Sequence, residues 1–523
     1  MNELHSILSP IKKKLDPLIL ALVVLGVYIS TLLPGIGYSG DTTKFQFVGK
    51  VLGTAHEPGA PGYTMLNFLF ITLFPWGSFS FKANLLSALC STAAIVVLFY
   101  LFQRISVRRS VAFFTSLTFA FTYTIWSQSV VAEIYALNIL FVGLTLLFFI
   151  RWHQTLHQRD FFIGSLVYAL SFGTHLTMIT FLPALLFFAW KTRKDYFWNV
   201  RVVASVFGII ALGAAQYGYL FWRTYAQDTS YLEIAVSNLK DLWYYARGGQ
   251  FQNVMVNSSL DKPFFIRMPI MLRLAWIEYS VLLPVAMLGF LFIRNNSLRV
   301  FLILCAMGTF VFTCLYGIPD IFVYMIPVYY ILALTLGISL EWIASRCKSH
   351  QLILLRLSIV CMPGLFLAVN YQKADQRSNV NAQIFVEQSL KSIGSRSVII
   401  CPDYDWAEFF WYYVFAKDYQ KDSVYAFYPH IGDMPCESIE SYVNQSKPFY
   451  LPVQRCYLPA GLAVYYCTAS GGRSYDLSRT RHPSTDIRLH NYVGDPAMMR
   501  MIKDGFRFTQ IGIDMYRIDK PSS

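Results

Sequence analysis

The sequence has few charged residues for its length. Only 14% of its 523 residues are Asp, Glu, Lys or Arg, whereas soluble domains contain about 25%. By contrast, 55% of the residues are hydrophobic and 17% are aromatic. Apolar stretches recur between residues 17 and 371, and many approach the roughly 20 residues that a helix needs to cross a bilayer. The composition excludes an ordinary soluble protein and predicts a polytopic α-helical membrane protein.

The sequence also lacks the spacings that indicate bound metals. None of its cysteine spacings is typical of a zinc site, and it has no acidic cluster that would require a divalent cation. We therefore expect no cofactor and no metal. Internal repeats are absent as well, so the inverted-repeat symmetry of many transporters is not visible.

The charges that are present have a basic excess, with a formal net charge of +13. A nucleic-acid partner would suit this excess, but the positions of the basic residues argue against one. They cluster in alternate gaps between apolar stretches, at 12–14, 104–109, 151–159, 191–194, 294–299 and 346–348. This is the positive-inside pattern of membrane proteins, so membrane lipid is the expected partner and nucleic acid is not.

Following the orientation from a cytoplasmic N-terminus predicts about eleven membrane spans. They lie near 17–34, 82–103, 110–126, 132–150, 161–174, 176–190, 199–222, 271–293, 299–317, 321–343 and 352–371. Residues 35–81 and 223–270, the turn at Asp320, and everything after Tyr371 then lie outside. The expected location is a bacterial inner or plasma membrane, or the endoplasmic reticulum membrane if the source is eukaryotic.

The last part of the chain differs in composition from the rest. Residues 1–371 form the predicted transmembrane domain, and residues 372–523 a small extracytoplasmic α/β domain. In the second domain, "SRSVIICP", "DSVYAFYP" and "KPFYLPV" are typical of strands, and "DWAEFFWYYVFAKDY" and "SIESYVNQ" of helices. The final "FRFTQIGIDMYRID" alternates with period two and predicts an edge hairpin.

Polar residues collect at the predicted outer ends of the spans. Asp41 directly follows the first span, and a carboxylate at a membrane face is costly without a partner or a task. The simpler interpretation of Asp41 is a helix cap before "KFQFVGKVL". Other polar residues share its side, which favours one outer cavity lined by acids and a few cations: His56, Glu57, Glu133, His175, Arg223, Arg247 and Asp320.

Several motifs together resemble a known family. They are "SGDTTKF", "LGTAHEPGAPGYTMLN", "FKANLLSAL", "WSQSVVAEIYALN", "SFGTHLTM", "YARGGQF" and "YGIPDIFVYMIP". This set is similar to glycosyltransferase family 117, the transmembrane protein 260 type of O-mannosyltransferase with its bacterial relatives, in the GT-C superfamily. The resemblance covers about residues 15–375. Glu57 departs from it, because the family often has Pro at that position.

The resemblance implies a GT-C-like fold and an inverting glycosyltransferase. The expected donor is a polyprenyl-phosphate sugar, with a hexose such as mannose as the sugar, and the expected acceptor is a hydroxyl group of a protein or glycan. Asp41 maps to the acid of the first external loop, the general base. His56, His175, Arg223 and Arg247 are candidates for binding the donor phosphate, and Glu57, Glu133 and Asp320 for binding substrate.

Two other classes of protein remain open from the sequence. A transporter or flippase for lipid-linked saccharides would also have many spans and buried charges, but its polar residues usually lie at mid-membrane on broken helices. A structural or sensor protein would leave the shared outer-face residues unexplained.

Overall fold

The computed structural model describes most of the chain to residue 419 and four strands beyond it. The described residues are 2–37, 41–226, 231–249, 261–318, 320–394, 397–401, 404–419, 424–427, 463–467, 507–512 and 515–519. They form a helical bundle followed by a small mixed sheet, which confirms the predicted fold class.

Nineteen α-helices lie within the described residues. The first twelve are α1 (Asn2–Ser30), α2 (Thr42–Val51), α3 (Pro61–Leu73), α4 (Phe79–Arg104), α5 (Arg109–Ala120), α6 (Tyr123–Ser129), α7 (Ile134–Thr155), α8 (Gln158–Ser171), α9 (Leu182–Arg193), α10 (Val200–Ala215), α11 (Gly218–Tyr225) and α12 (Leu239–Ala246). The others are α13 (Asp261–Tyr279), α14 (Leu282–Phe292), α15 (Asn296–Leu315), α16 (Ile326–Ala344), α17 (Ser349–Ala374), α18 (Asn381–Ser392) and α19 (Tyr404–Trp411). Short 3-10 helices occupy Leu176–Phe181, Lys194–Phe197 and Ile321–Met325, and a π turn occupies Tyr412–Ala416.

Each of the eleven predicted spans coincides with one helix or with adjacent helices. In the described part of the chain, six helical segments are long and apolar enough to cross a bilayer, or seven if one bent pair is a single span. The other four predictions rest on shorter helices: the apolar part of α1, α5 with α6, α8, and α9. The multi-pass membrane character is confirmed, and the number eleven stays a prediction.

The span predicted at 271–293 is not one straight helix. It divides into α13 and α14, whose axes differ by 99°. Ser280 lies at the break with a φ of 49°. This left-handed backbone conformation cannot continue a right-handed helix, and the apolar pattern of the sequence did not indicate it.

The strands of the tail form one five-stranded sheet. They are β1 (Ser397–Ile400), β2 (Val424–Phe427), β3 (Ala463–Cys467), β4 (Arg507–Gly512) and β5 (Met515–Asp519), in the order β2-β1-β3-β5-β4. β1 runs parallel to β2 and β3, and β5 runs antiparallel to β3 and β4. The two predicted strands at β1 and β2, the predicted hairpin β4–β5 and the predicted helix at α19 are confirmed. β3 was not predicted, and "KPFYLPV" and "SIESYVNQ" lie outside the described residues.

The tail packs directly on the helical bundle. The ring of Trp411, in α19, lies 6.5 Å from that of Phe47 in α2 and 5.4 Å from that of Tyr231. The hydroxyl group of Tyr412 donates to Ser80 Oγ at 3.1 Å. α19 therefore lies against the end of the bundle that carries α2. The predicted boundary at 371 falls inside α17, and the division into two domains stays a prediction.

Candidate active site

The helix α2 begins at the end of the bundle, just after the first span. Asp41 is its N-cap residue, and its carbonyl oxygen accepts from the amide of Phe45 at 3.0 Å. The side chain of Asp41, however, makes no capping hydrogen bond to this described helix. The helix predicted after Asp41 is thus confirmed, but the interpretation of its carboxylate as a cap is wrong. The carboxylate points to two other side chains.

Those side chains are Lys44 and His56. Nζ of Lys44 donates to Asp41 Oδ1 at 3.1 Å and contacts His56 Nδ1 at 2.8 Å. The other ring nitrogen, Nε2, lies 3.5 Å from Asp41 Oδ2. Lys44, His56 and Asp41 therefore form a closed triangle of contacts.

Two more acids complete the surroundings of Lys44. Glu233, from the segment between α11 and α12, lies 3.2 Å from Nζ, and Glu408, from α19, lies 3.5 Å away. The Lys44 side chain is only 1% exposed. A buried ammonium ion is stable only when it is paired and hydrogen-bonded. One lysine thus joins three parts of the chain that are far apart in sequence.

Asp41 is the accessible acid of this group. A third of its side chain is exposed, compared with 6% for Glu233 and 2% for Glu408. Burial raises the pKa of Asp41, but His56 and Lys44 outweigh that effect, so its pKa is lower than the ordinary value. Asp41 is therefore an ionised carboxylate at neutral pH that a small molecule can reach.

Glu133 lies behind Asp41 and has the opposite character. It is buried, at the N-terminal end of α7. Burial raises its pKa well above the ordinary value, and the nearby acids Asp41, Asp320 and Glu408 add to that increase. The backbone of Asp41 is hydrogen-bonded to Glu133, and Thr42 Oγ1 donates to it at 3.5 Å. Glu133 thus holds the backbone at the start of α2 and retains its proton more readily than Asp41.

His175 lies in the same group, and its side chain is buried. It is buried between the rings of Tyr135 and Tyr324. Burial lowers the pKa of His175 to about 3, and the neighbouring His56 lowers it further. Its Nδ1 accepts from the backbone amide of Thr177 at 3.2 Å, so Nε2 carries the hydrogen. Burial thus favours the neutral ring of His175, which can contact a phosphate through its Nε2 hydrogen.

Asp320 is the last acid that the structure brings to Asp41. Burial raises its pKa, and the negative charge of Asp41 raises it further, while a backbone hydrogen bond and His56 lower it. These effects require proximity, so Asp320 faces the same region as Asp41 and His56. The predicted gathering of Asp41, His56, Glu133, His175 and Asp320 at one place is therefore present in the structure. Their roles stay predictions.

The three remaining predicted residues lie around α11 and α12. Arg223 is buried in α11, with its guanidinium 4.8 Å from the ring of Trp222. Arg247 directly follows the last residue of α12 and is exposed. Glu57 is buried, and its charge adds to the effect of burial in raising the pKa of Tyr245. The roles of these residues in binding phosphate or substrate stay predictions.

Lys44, Glu233 and Glu408 were missed as site residues by sequence reasoning. Lys44 had one signal, because it lies three residues after Asp41 and so on the same side of a helix. Glu233 and Glu408 had none, because each reaches the site through folding of a distant segment. Among the described residues, no group of three or more His, Cys, Asp or Glu side chains is arranged to hold a metal ion.

The comparisons with known proteins fit this geometry. Residues 41–198 match the family model of the Protein O-mannosyl-transferase TMEM260 N-terminal domain. This part of the chain is therefore similar to the N-terminal domain of the TMEM260 family. The resemblance predicted from the sequence is therefore confirmed, and the matched segment begins at Asp41 and contains Lys44, His56, Glu133 and His175.

Two curated relatives carry the same name. Protein O-mannosyl-transferase TMEM260 of Mus musculus is 36% identical over 128 residues, which are 24% of this chain and 18% of the mouse protein. Protein O-mannosyl-transferase tmem260 of Dictyostelium discoideum is 20% identical over 212 residues, 37% of this chain and 26% of that protein. The similarity thus spans about a fifth to a quarter of the relatives' own length.

Two solved structures resemble the whole chain. Both are ArnT from Cupriavidus metallidurans, and each is 12% identical to this chain. The apo structure has a TM-score of 0.56 and covers 98% of both chains. The structure bound to undecaprenyl phosphate has a TM-score of 0.60 and covers 96% of this chain and 97% of ArnT. The predicted GT-C-like fold is confirmed over nearly the full length.

Proposed function

We propose that this protein is an inverting membrane glycosyltransferase. It moves a sugar, a hexose such as mannose, from a polyprenyl phosphate to an acceptor hydroxyl group, with Asp41 as the general base. The observation that carries the proposal is the position of Asp41. A third of its side chain is exposed, and Lys44 and His56 hold it in place at the first residue of the TMEM260 match.

The nature of the donor and acceptor is supported at a coarser level. A protein of the same fold has been solved with undecaprenyl phosphate, which supports a polyprenyl-phosphate donor. The relatives are named O-mannosyl-transferases, which supports mannose and a protein hydroxyl group as the acceptor. A lipid-linked donor also suits a site at the end of membrane helices, because its tail stays in lipid while its head group reaches Asp41.

The proposed reaction is a single displacement. The acceptor oxygen attacks C1 of the sugar while its proton passes to a carboxylate oxygen of Asp41. The bond between C1 and the phosphate oxygen breaks, and its electron pair leaves with the polyprenyl phosphate. Attack from the face opposite the phosphate inverts the configuration at C1. Proton, sugar and leaving group are all accounted for without a further reactant.

Neighbouring groups stabilise the departing phosphate. The departing phosphate gains negative charge, and hydrogen-bond donors placed near it stabilise the transition state. The Nε2 hydrogen of His175 is one such donor, and Arg223 and Arg247 remain candidates for a charged contact. After transfer, the proton on Asp41 must leave to solvent, for which its exposed third provides a path.

The charge pattern of the sequence supports a reaction on the extracytoplasmic side. The basic clusters alternate along the chain so that the end bearing Asp41 lies away from the cytoplasm. The C-terminal part, which packs on α2, lies on that side too. Labelling single cysteines in sealed vesicles tests this arrangement. A cysteine in the tail that reacts only after permeabilisation would contradict it.

The activity itself is tested with purified protein in liposomes. The substrates are synthetic polyprenyl-phosphate mannose and a peptide rich in serine and threonine. We expect mannosylated peptide with an inverted anomeric centre, together with free polyprenyl phosphate. Slow release of free mannose to water gives a second readout that does not depend on the peptide. Movement of intact donor between leaflets without its breakdown would instead support a flippase.

A further inference from the structure

The start of α2 is held in an unusual way. The amides of the first turn of a helix lack partners within the helix. An N-cap aspartate normally accepts a hydrogen bond from the amide of the second or third helical residue. Here the third helical residue is Lys44, and its amide donates to Glu408 Oε2 at 3.0 Å. An acid 364 residues further along the chain thus takes the place of the local cap.

A second remote acid holds the N-cap residue itself. The backbone of Asp41 is hydrogen-bonded to Glu133, at the start of α7. Two main-chain groups at the start of α2 are therefore satisfied by Glu133 and Glu408. The carboxylate of Asp41 is left to contact Lys44 Nζ and His56.

Glu408 is itself fixed in position. Its side chain is only 2% exposed. Its helix, α19, is anchored next to it by the ring contacts of Trp411 with Phe47 and Tyr231. The contact of Tyr412 with Ser80 ties the following turn to the start of α4. The second oxygen of Glu408 lies 3.5 Å from Lys44 Nζ. One carboxylate thus contacts both the backbone amide and the side-chain ammonium group of Lys44.

We propose that Glu408 is a positioning residue that caps α2 in place of Asp41 and so releases the Asp41 carboxylate for proton transfer. The C-terminal part of the chain thereby completes a site whose other residues belong to the bundle. The proposal rests on the proposed function, because it assigns Glu408 a task only through Asp41. Without Glu408, the amide of Lys44 loses its partner, and the nearest acceptor with the right local geometry is the Asp41 side chain. The Asp41 side chain then turns away from the hydroxyl group that receives the sugar.

The experiment is a double-mutant cycle between positions 41 and 408. The variants are Glu408→Ala, Asp41→Asn and both together, assayed for kcat and donor KM with polyprenyl-phosphate mannose. We expect Glu408→Ala to lower kcat by about ten- to a hundredfold, the scale of a misplaced catalytic group, with little change in KM. In the Glu408→Ala background, Asp41→Asn should cost far less than it does alone. Glu408→Gln, which keeps an acceptor oxygen for the Lys44 amide, should recover most of the loss.

Tyr419→Phe is the matched control. It removes a hydrogen bond within the tail, from the Tyr419 hydroxyl group to the carbonyl oxygen of Leu390 in α18, and should leave kcat unchanged. If Glu408→Ala does not fold, Glu408→Asp keeps the charge but is one methylene shorter, and the same cycle is run with it. A structure of that variant should show the Asp41 side chain at the Lys44 amide.

The outcomes separate this inference from the proposed function. Independent, additive losses for positions 41 and 408, or a Glu408→Gln variant as poor as Glu408→Ala, would overturn the positioning role and leave the function standing. An Asp41→Asn protein with full activity would refute the proposed function. In that case the structure of Glu408→Asp still decides whether Asp41 takes over the cap.

Discussion

Two helices of this protein have their N-termini capped by acids from distant segments, and the two caps differ in one respect. At α6, Glu278 accepts from the amide of Thr124 at 3.0 Å and from its hydroxyl group at 2.7 Å. At α2, Glu408 accepts from the amide of Lys44 in the same manner, but a buried ammonium group lies beside it. In both helices the N-cap residue, Thr122 or Asp41, makes no side-chain cap to its own described helix.

The difference shows that capping by an acid from a distant segment can serve two purposes. Glu278 joins α13 to α6 through neutral partners, which is sufficient to hold two helices together. Glu408 joins the tail to α2 and also contributes to a charged group that includes Asp41, Glu233 and Lys44. Remote capping therefore stabilises the fold at α6, whereas at α2 it also leaves an ionised acid accessible.

The largest expected effect comes from removing the cation that distinguishes the two caps. Lys44→Met leaves Asp41, Glu233 and Glu408 close together without their shared partner. Breaking a buried ion pair in this way costs about 3–5 kcal/mol, and we expect a large loss of thermal stability in detergent. Transfer by the folded fraction should fall by about a hundredfold. A stable, active Lys44→Met protein would remove the distinction between the two caps.

The pH dependence of transfer sharpens the same comparison. The lowered pKa of Asp41 keeps it ionised at neutral pH, so activity and the stability from its contacts are lost only as pH falls through that lowered pKa. In Lys44→Arg, which keeps the charge with different geometry, the pH below which activity is lost should change little. In Lys44→Met, Lys44 no longer offsets the effect of burial on the pKa of Asp41. The pH below which activity is lost should therefore move toward neutral pH. The measurement is kcat/KM against pH for the three proteins; an unchanged value of this pH in Lys44→Met would argue against Asp41 as the titrating base.

At α6 we expect an effect on stability without one on catalysis. Glu278→Ala leaves the Thr124 amide and hydroxyl group buried without this acceptor, which costs about 1–3 kcal/mol. The melting temperature should fall, while kcat per folded protein stays near that of wild type. A kcat loss as large as that of Glu408→Ala would show that the two caps are not different in function.

The smallest effects are expected at the candidates for phosphate binding. Arg247 is exposed, and a guanidinium can hold two phosphate oxygens where an ammonium cannot. We expect Arg247→Lys to raise the donor KM, Arg247→Ala to raise it more, and His175→Ala to have a smaller effect than Arg247→Ala. Unchanged kinetics for Arg247→Ala would move the charged phosphate contact to Arg223.

The sequence predicted the features that local pattern controls. Apolar runs located the helices, and the cluster of polar span ends brought Asp41, His56, Glu133, His175 and Asp320 together correctly. It failed where contacts span the whole chain. Nothing near Glu408 indicates that it caps α2, and the break at Ser280 depends on a backbone angle. No local pattern indicates that His175 is buried between two tyrosines, because that burial is a property of the fold.

The central claim is that the Asp41 carboxylate takes up the proton of the hydroxyl group that receives the sugar. The substitution Asp41→Asn tests this claim most directly. The amide keeps the size of the side chain and its ability to accept a hydrogen bond, but it cannot take up the proton. With purified, folded protein and polyprenyl-phosphate mannose, we predict unchanged donor binding and a kcat lower by about a hundredfold or more. Transfer at the wild-type rate by a folded Asp41→Asn protein would contradict the account.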